Sequence, residues 1–197
     1  MKRLFPIILL VTALCIGCKP AWTAREREII RNSDSLMYVT TIQADSAILR
    51  SQSIDLGPKE LDSPELRTLL AKMLRTVTDP SQDGVGIAAP QVGIGRRIVL
   101  VQRFDKPGEP FESYVNIRVD SLEGEIVSGR EGCLSVPGLR GLVKRHNKIS
   151  ISYTDISSHE RKTEEVEGFT AVIFQHECDH LDGILYIDKA DSLFISE

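Results

Sequence analysis

The chain has 197 residues, 42% of them hydrophobic and 26% charged, with a net charge of −4 at pH 7. This composition describes one soluble globular domain with a substantial core and excludes a low-complexity or disordered chain. No basic excess points to nucleic acid, which is excluded as a partner. The Lys144-Arg145-His146 cluster with Lys148 is short and reads as a solvated strand end.

In chain order, Lys2 and Arg3 precede an almost uncharged apolar run from Leu4 to Gly17. That is the pattern of a secretory signal over residues 1–18, too short for a comfortable membrane span. Cys18 directly after Gly17 resembles the lipidated cysteine of a bacterial lipoprotein, although Cys15 stands where leucine is usual. Lipidation would export the chain and tether it to a membrane surface. The alternative is an apolar N-terminal helix of the fold itself, in a cytoplasmic protein. Residues 19–45 read as a polar spacer: Arg25-Glu26-Arg27-Glu28 is highly charged, and Ile29, Ile30, Leu36 and Met37 give only weak periodicity. A docked N-terminal helix is the alternative there. The folded catalytic domain is expected over residues 46–197.

From Ser63-Pro64-Glu65 a helix is predicted, with Ser63 as N-cap, Pro64 at the first helical position and an apolar stripe of Leu66, Leu69, Leu70, Met73, Leu74 and Val77. It ends before Asp79-Pro80. Short strands are predicted at Arg97 to Gln102, Tyr114 to Val119, Gly124 to Val127 and Lys148 to Tyr153, with turns at Lys106-Pro107-Gly108 and Pro137-Gly138. A second helix is predicted from Phe169 to Leu181, closing at Asp182-Gly183. Strands gathered mostly between two helices predict an α+β fold.

The second helix carries Gln175-His176-Glu177-Cys178-Asp179-His180. His176 and His180 lie one turn apart on one face, so both imidazoles can reach a single metal ion. Glu177 sits about 100° round the helix, where its carboxylate can handle a proton of an activated water. Tyr186 stands where one zinc-protease class has its third histidine, and the chain ends too soon after the pair for a downstream Glu ligand, so the third ligand must come from upstream. Cys178 points away from the histidine face and reads as core packing or a free thiol. Cys133, in Glu131-Gly132-Cys133-Leu134-Ser135, is the better candidate, because flanking glycine permits close approach. One Cys and two His with an open position make a catalytic rather than a structural arrangement. Four cysteines, two of them in the signal, form no convincing disulfide framework.

A third segment, Gly84-Val85-Gly86-Ile87-Ala88-Ala89-Pro90-Gln91, satisfies G-x-G-x-x-A, but polar residues precede it where a dinucleotide loop needs a buried strand. Its glycines instead suit an extended peptide lying against the backbone, and Gln91 offers a side-chain N–H to a developing oxyanion.

Together GVGIAAPQ, EGCLS and QHECDH, in this order, resemble the three signature motifs of peptide deformylases, and the resemblance covers roughly residues 45–190. It implies a compact α+β fold in which mixed strands surround a central metal-binding helix. It implies hydrolysis of the formyl group from N-formylmethionyl peptides, releasing formate. Cys133, His176 and His180 would hold one divalent metal, with Fe2+ foremost and Zn2+, Ni2+ or Co2+ able to replace it. Glu177 would move the proton, and Gln91 with the backbone N–H of Leu134 would stabilise the oxyanion. Gly86 and its neighbour Val85 would pair with the peptide backbone. Phe169, Val172 and Ile173 would form the methionine pocket, or else pack in the core. Asp179 would orient a ligand, or be a plain surface carboxylate. The enzyme would be a monomer. Proline common in the family is absent after Asn116 and Arg145, which predicts altered loops. Export is the larger anomaly: deformylases meet nascent chains at the ribosome, and an oxidising compartment threatens a ferrous–thiolate site. An exported amidohydrolase or peptidase of altered specificity, or a tethered binding protein with an inherited metal site, are the competing readings.

Overall fold

The computed structural model describes residues 21–32, 36–82 and 84–195. The signal predicted over residues 1–18, with Cys15 and Cys18, lies outside them. The helices are α1 (Ala24–Asn32), α2 (Ser46–Leu49), α3 (Pro58–Leu61), α4 (Pro64–Val77) and α5 (Gly168–Leu181). The strands are β1 (Gly86–Ala88), β2 (Ile98–Gln102), β3 (Phe111–Cys133), β4 (Val136–Thr154), β5 (Arg161–Glu167) and β6 (Ala190–Ile195).

One sheet runs β1-β2-β3-β4-β5, with β6 paired to the first residues of β4. The expected mixed strands resolve into antiparallel pairs throughout these ladders, plus an isolated parallel bridge between Ile54 and Arg96. The sheet is buried on both faces where it carries the site, and β2 shows why. Ile98 and Leu100 join Leu66, Leu69, Met73 and Val77 of α4, whereas Val99 and Val101 join Ala171, Ile173, Phe174 and Leu181 of α5. An unbroken Ile-Val-Leu-Val run is what a strand between two helices requires, since alternate side chains reach opposite cores.

Ser63 caps α4 through Leu66 N–H at 3.2 Å with Pro64 at the first helical position. The α4 stripe is narrower than predicted, because Leu74 faces solvent. The two strands predicted at Tyr114–Val119 and Gly124–Val127 are one strand, β3, interrupted by register shifts. Gly124 at φ +67 allows the shift beside it, where Asn147 Oδ1 accepts from the Glu125 N–H. The reversal predicted at Pro137-Gly138 falls instead at Leu134-Ser135, between paired Cys133 and Val136. Asn116 and Arg145 lie within strands rather than loops, so the missing prolines reshape no loop; Asn116 instead holds Leu56 N–H and C=O through its side chain.

The N-terminal region is not a free spacer over its described part. Trp22, Ile30 and Met37 are buried in the α4 core. Arg96, fully buried, donates to both Glu26 carboxylate oxygens at 2.6 and 2.8 Å and stacks under Trp22. The charged residues that suggested a solvated linker thus include one arm of a buried ion pair whose partner lies seventy positions away.

Candidate metal centre

Helix α5 begins at Gly168, whose φ of +68 turns the chain out of β5, and closes at Asp182-Gly183 as expected. Its Gln175 side chain clamps the helix to β4, donating to His146 C=O at 2.7 Å and accepting from His146 N–H at 3.1 Å. This fixes the face that His176 and His180 present to the β3–β4 turn. There Cys133 Sγ lies 3.1 Å from His180 Nε2, and one ligand atom from each of Cys133, His176 and His180 lies within 4.8 Å of the others.

Those spacings suit one cation, since metal bonds of about 2.0–2.3 Å in a tetrahedral arrangement separate neighbouring ligands by about 3–4 Å. The electrostatics agree. Burial alone would raise the Cys133 thiol, but the His180 charge and hydrogen bonds from both imidazoles draw it well below its ordinary value. Burial would likewise lower His176, yet bonds to Cys133 and Glu131 carry it well above. A deprotonated sulfur stabilised by adjacent positive charge is the demand a divalent cation meets. His176 Nδ1 is bonded to Glu131 Oε2 at 2.8 Å, leaving Nε2 for the metal.

Glu177 is buried, and burial pushes its carboxyl up to about 7 against the pull of the two imidazoles. Its Oε2 has no partner among the described residues. Its Oε1 lies so close to β1 that a Cβ on Gly86 would stand 2.5 Å from it. Gln91, at the end of a 3-10 turn after β1, accepts from Ala88 N–H through Oε1 at 2.8 Å. That bond fixes the amide so that Nε2 faces the site, 3.5 Å from Cys133 Sγ. Sequence therefore placed Gln91, Cys133, His176, Glu177 and His180 in one cluster, and the structure brings them together.

A cavity of about 440 Å³ opens from this cluster, lined by Val85, Gly86, Leu134, Phe169, Val172 and Ile173 among others. All six predicted substrate-contacting or turn residues thus reach it, although Ile173 is also packed in the α5 core. Strand β1 forms the sheet's edge there. Val85 C=O accepts from Gln102 N–H, so by alternation the backbone groups of Gly86 point away from β2, toward the cleft.

Arg145 overturns the solvated-strand reading. It is buried, donating to both oxygens of Glu131 at 2.8 and 2.9 Å and to Asp179. Asp179 accepts in turn from Lys189 at 2.7 Å. Asp179 is no surface carboxylate, but it acts at two removes: it holds Arg145, which holds Glu131, which holds His176. Tyr186, noted only for not being a histidine, stacks its ring on His176 at 6.0 Å and donates to Leu139 C=O. Backbone bonds from Thr40 N–H to Gln91 C=O and from Ile42 N–H to Ser135 C=O brace the two site loops together. Cys178 is buried in the core, with burial pushing its thiol up to about 12, and neither it nor Cys133 forms a disulfide.

The family model described as Polypeptide deformylase matches residues 38–194. The chain belongs to the peptide deformylase family. Such enzymes are metal-dependent hydrolases that remove the formyl group from N-formylmethionyl peptides, and this is the chain's reaction. It is 38% identical over 152 residues to a peptide deformylase of Leptospira biflexa, covering 74% of this chain and 83% of that one. It is 45% identical over 131 residues to peptide deformylase 2 of Bordetella bronchiseptica, covering 64% and 73% respectively. Among solved structures, the Met-Ala-Ser-bound class I type b deformylase of Acinetobacter baumannii superposes with a TM-score of 0.69 at 34% identity, covering 78% of this chain and 98% of that one. Helix α1 precedes the segment that the deformylase family model matches.

Proposed function

We propose that Cys133, His176 and His180 hold the deformylase metal, with ferrous iron as the native ion, and that Glu177, Gln91 and Leu134 perform the chemistry. A divalent cation supplies Lewis acidity, polarising the formyl oxygen and lowering the pKa of a water. Glu177 Oε2, buried and without a partner among the described residues, accepts the water proton and returns it to the departing amine. The Gln91 amide, its Oε1 already committed to Ala88, donates through Nε2 to the oxygen that gains charge as the formyl carbon is attacked. Leu134 N–H donates from the β3–β4 turn. Gly86 pairs with the peptide backbone along the free edge of β1, with Val85 beside it. Phe169, Val172 and Ile173 receive the methionine side chain.

The observation that carries this reading is the convergence of a buried carboxylate, its Oε2 without a hydrogen-bond partner among the described residues, and an oriented amide on a thiol–imidazole cluster. A purely structural metal site would need neither. Formate release from formyl-Met-Ala-Ser by anaerobically iron-loaded protein, beside hydrolysis of an unformylated peptide, tests it. Turnover of the formylated peptide alone is expected; cleavage of the unformylated one would favour a peptidase.

We further propose an exported lipoprotein tethered through Cys18, supported by the basic and apolar N-terminus. Trp22 is already buried four positions later, so the tether spans at most about 14 Å and the domain would lie close against the membrane. Labelling with a palmitate analogue tests this, and label persisting in Cys18→Ala would refute it.

A further inference from the structure

The cleft's inner groups are committed to the reaction, but its rim carries two arginines that the reaction does not use. Arg130 of β3 and Arg140 of β4 both line the cavity and both are exposed. Among the described residues no carboxylate forms an ion pair with either. Arg130 pairs across the ladder with Leu142, two positions from Arg140, so both side chains share one face of the β3–β4 ribbon. Alternation turns the intervening Glu131 to the opposite face, where Arg145 and His176 occupy it.

Both guanidinium groups lie against neighbouring groups of the ribbon. Arg130 lies over the Phe194 ring, 5.4 Å from its centroid, and Phe194 is itself the β6 partner of Arg140. Arg140 lies against Gly132, where a Cβ would stand 2.2 Å from its Nη1. Glycine beside Cys133 therefore lets the guanidinium lie along the strand next to the metal cluster. Phe194 of β6 and Gly132 thus back a cationic shelf on the side of the cleft mouth formed by β3 and β4.

We propose that Arg130 and Arg140 form a carboxylate-binding subsite that selects short formylated peptides bearing a negative charge downstream of the methionine. The inference rests on the deformylase reading and deepens it. A peptide released with a free α-carboxylate gains this contact; a nascent chain still joined to its carrier does so only through an acidic side chain. Exposed charge pairs of this kind are individually weak, so the two together give roughly a threefold to tenfold preference at low salt.

The test measures binding of Met-Ala-Ser to the metal-loaded protein as free acid and as C-terminal amide, by calorimetry at low and high salt. The acid is expected to bind roughly threefold to tenfold tighter. That gap should close in high salt and in Arg130→Ala/Arg140→Ala, and should invert in Arg130→Glu/Arg140→Glu. Met-Ala-Asp amide separates the carboxylate sources: tight binding assigns the shelf to any carboxylate at that place, weak binding to the α-carboxylate alone. Equal binding of acid and amide by the wild type, or a preference surviving in the double Ala variant, overturns the proposal. Formate release is read separately, so a protein that prefers the acid but releases no formate would remove the deformylase reading and leave the shelf standing.

Discussion

Replacing Arg145 by alanine tests the network behind the metal helix. The side chain is about 3% exposed and its partners Glu131 and Asp179 about 8% and 13%. Removing it leaves two carboxylates buried with their main cation gone, a change that typically costs about 3–5 kcal/mol. For a domain of this size that is a fall in Tm of about 6–20 °C. A second effect should accompany it. Glu131 orients His176 through Nδ1, and disturbing such a partner commonly weakens metal binding about 10–100-fold. Lys144→Ala is the control one position away: Lys144 pairs with Asp191 at the surface, both more than half exposed, and should shift stability by less than about 1 kcal/mol. Thermal denaturation of metal-free protein and competitive chelator titration of loaded protein measure the two effects. If Arg145→Ala matched Lys144→Ala in both, Arg145 would be the solvated residue that its basic neighbours suggest and the network would be dismissed.

The same network makes a pH prediction. Burial opposes ionisation of Glu131, but Arg145 and His176 hold its carboxyl down from 4.5 to about 2. A depressed carboxyl contributes stability above its unfolded value and loses it as pH falls, so metal-free wild type should lose up to about 3 kcal/mol between pH 4.5 and 2. In Glu131→Gln that loss should be absent from urea titrations across the same window; an unchanged slope would contradict it. Glu177→Gln should bind metal normally and lose about 10²–10⁴ in formate release, and undiminished turnover would end its role as proton carrier. Gly86→Ala would place a Cβ 2.5 Å from Glu177 Oε1 and 2.9 Å from Ile173 Cγ2. Glu177 is the more movable, so kcat should fall by about tenfold or more with little change in Tm; the reverse pattern would show that Gly86 matters for packing instead.

The metal cluster was legible because its information is local. His176 and His180 need only a helix, and α5 supplies it; Cys133 needs only a glycine-flanked position within reach of that helix. The Ser63-Pro64 cap and the doubly buried β2 were readable for the same reason, since caps and unbroken apolar runs act over a few residues. Arg145 was misread because its partners depend on strand register. Bulges between Val115 and Cys133 set which β4 residues face inward, and no count along the sequence supplies those shifts. Sequence alone left a spacer and a docked N-terminal helix both open, because Glu26 and Arg96 meet only in the folded chain. Tyr186 likewise carried no signal, as a ring stacked on His176 from beyond the helix looks like any core tyrosine.

The central claim is that one sulfur and two imidazole nitrogens share a cation. X-ray absorption at the metal edge of anaerobically loaded wild type and Cys133→Ser measures this most directly. The account predicts one metal per chain, with a sulfur scatterer near about 2.3 Å and nitrogens near about 2.1 Å in the wild type, the sulfur vanishing in the variant. A shell of oxygen and nitrogen alone, unchanged by the substitution, would contradict it.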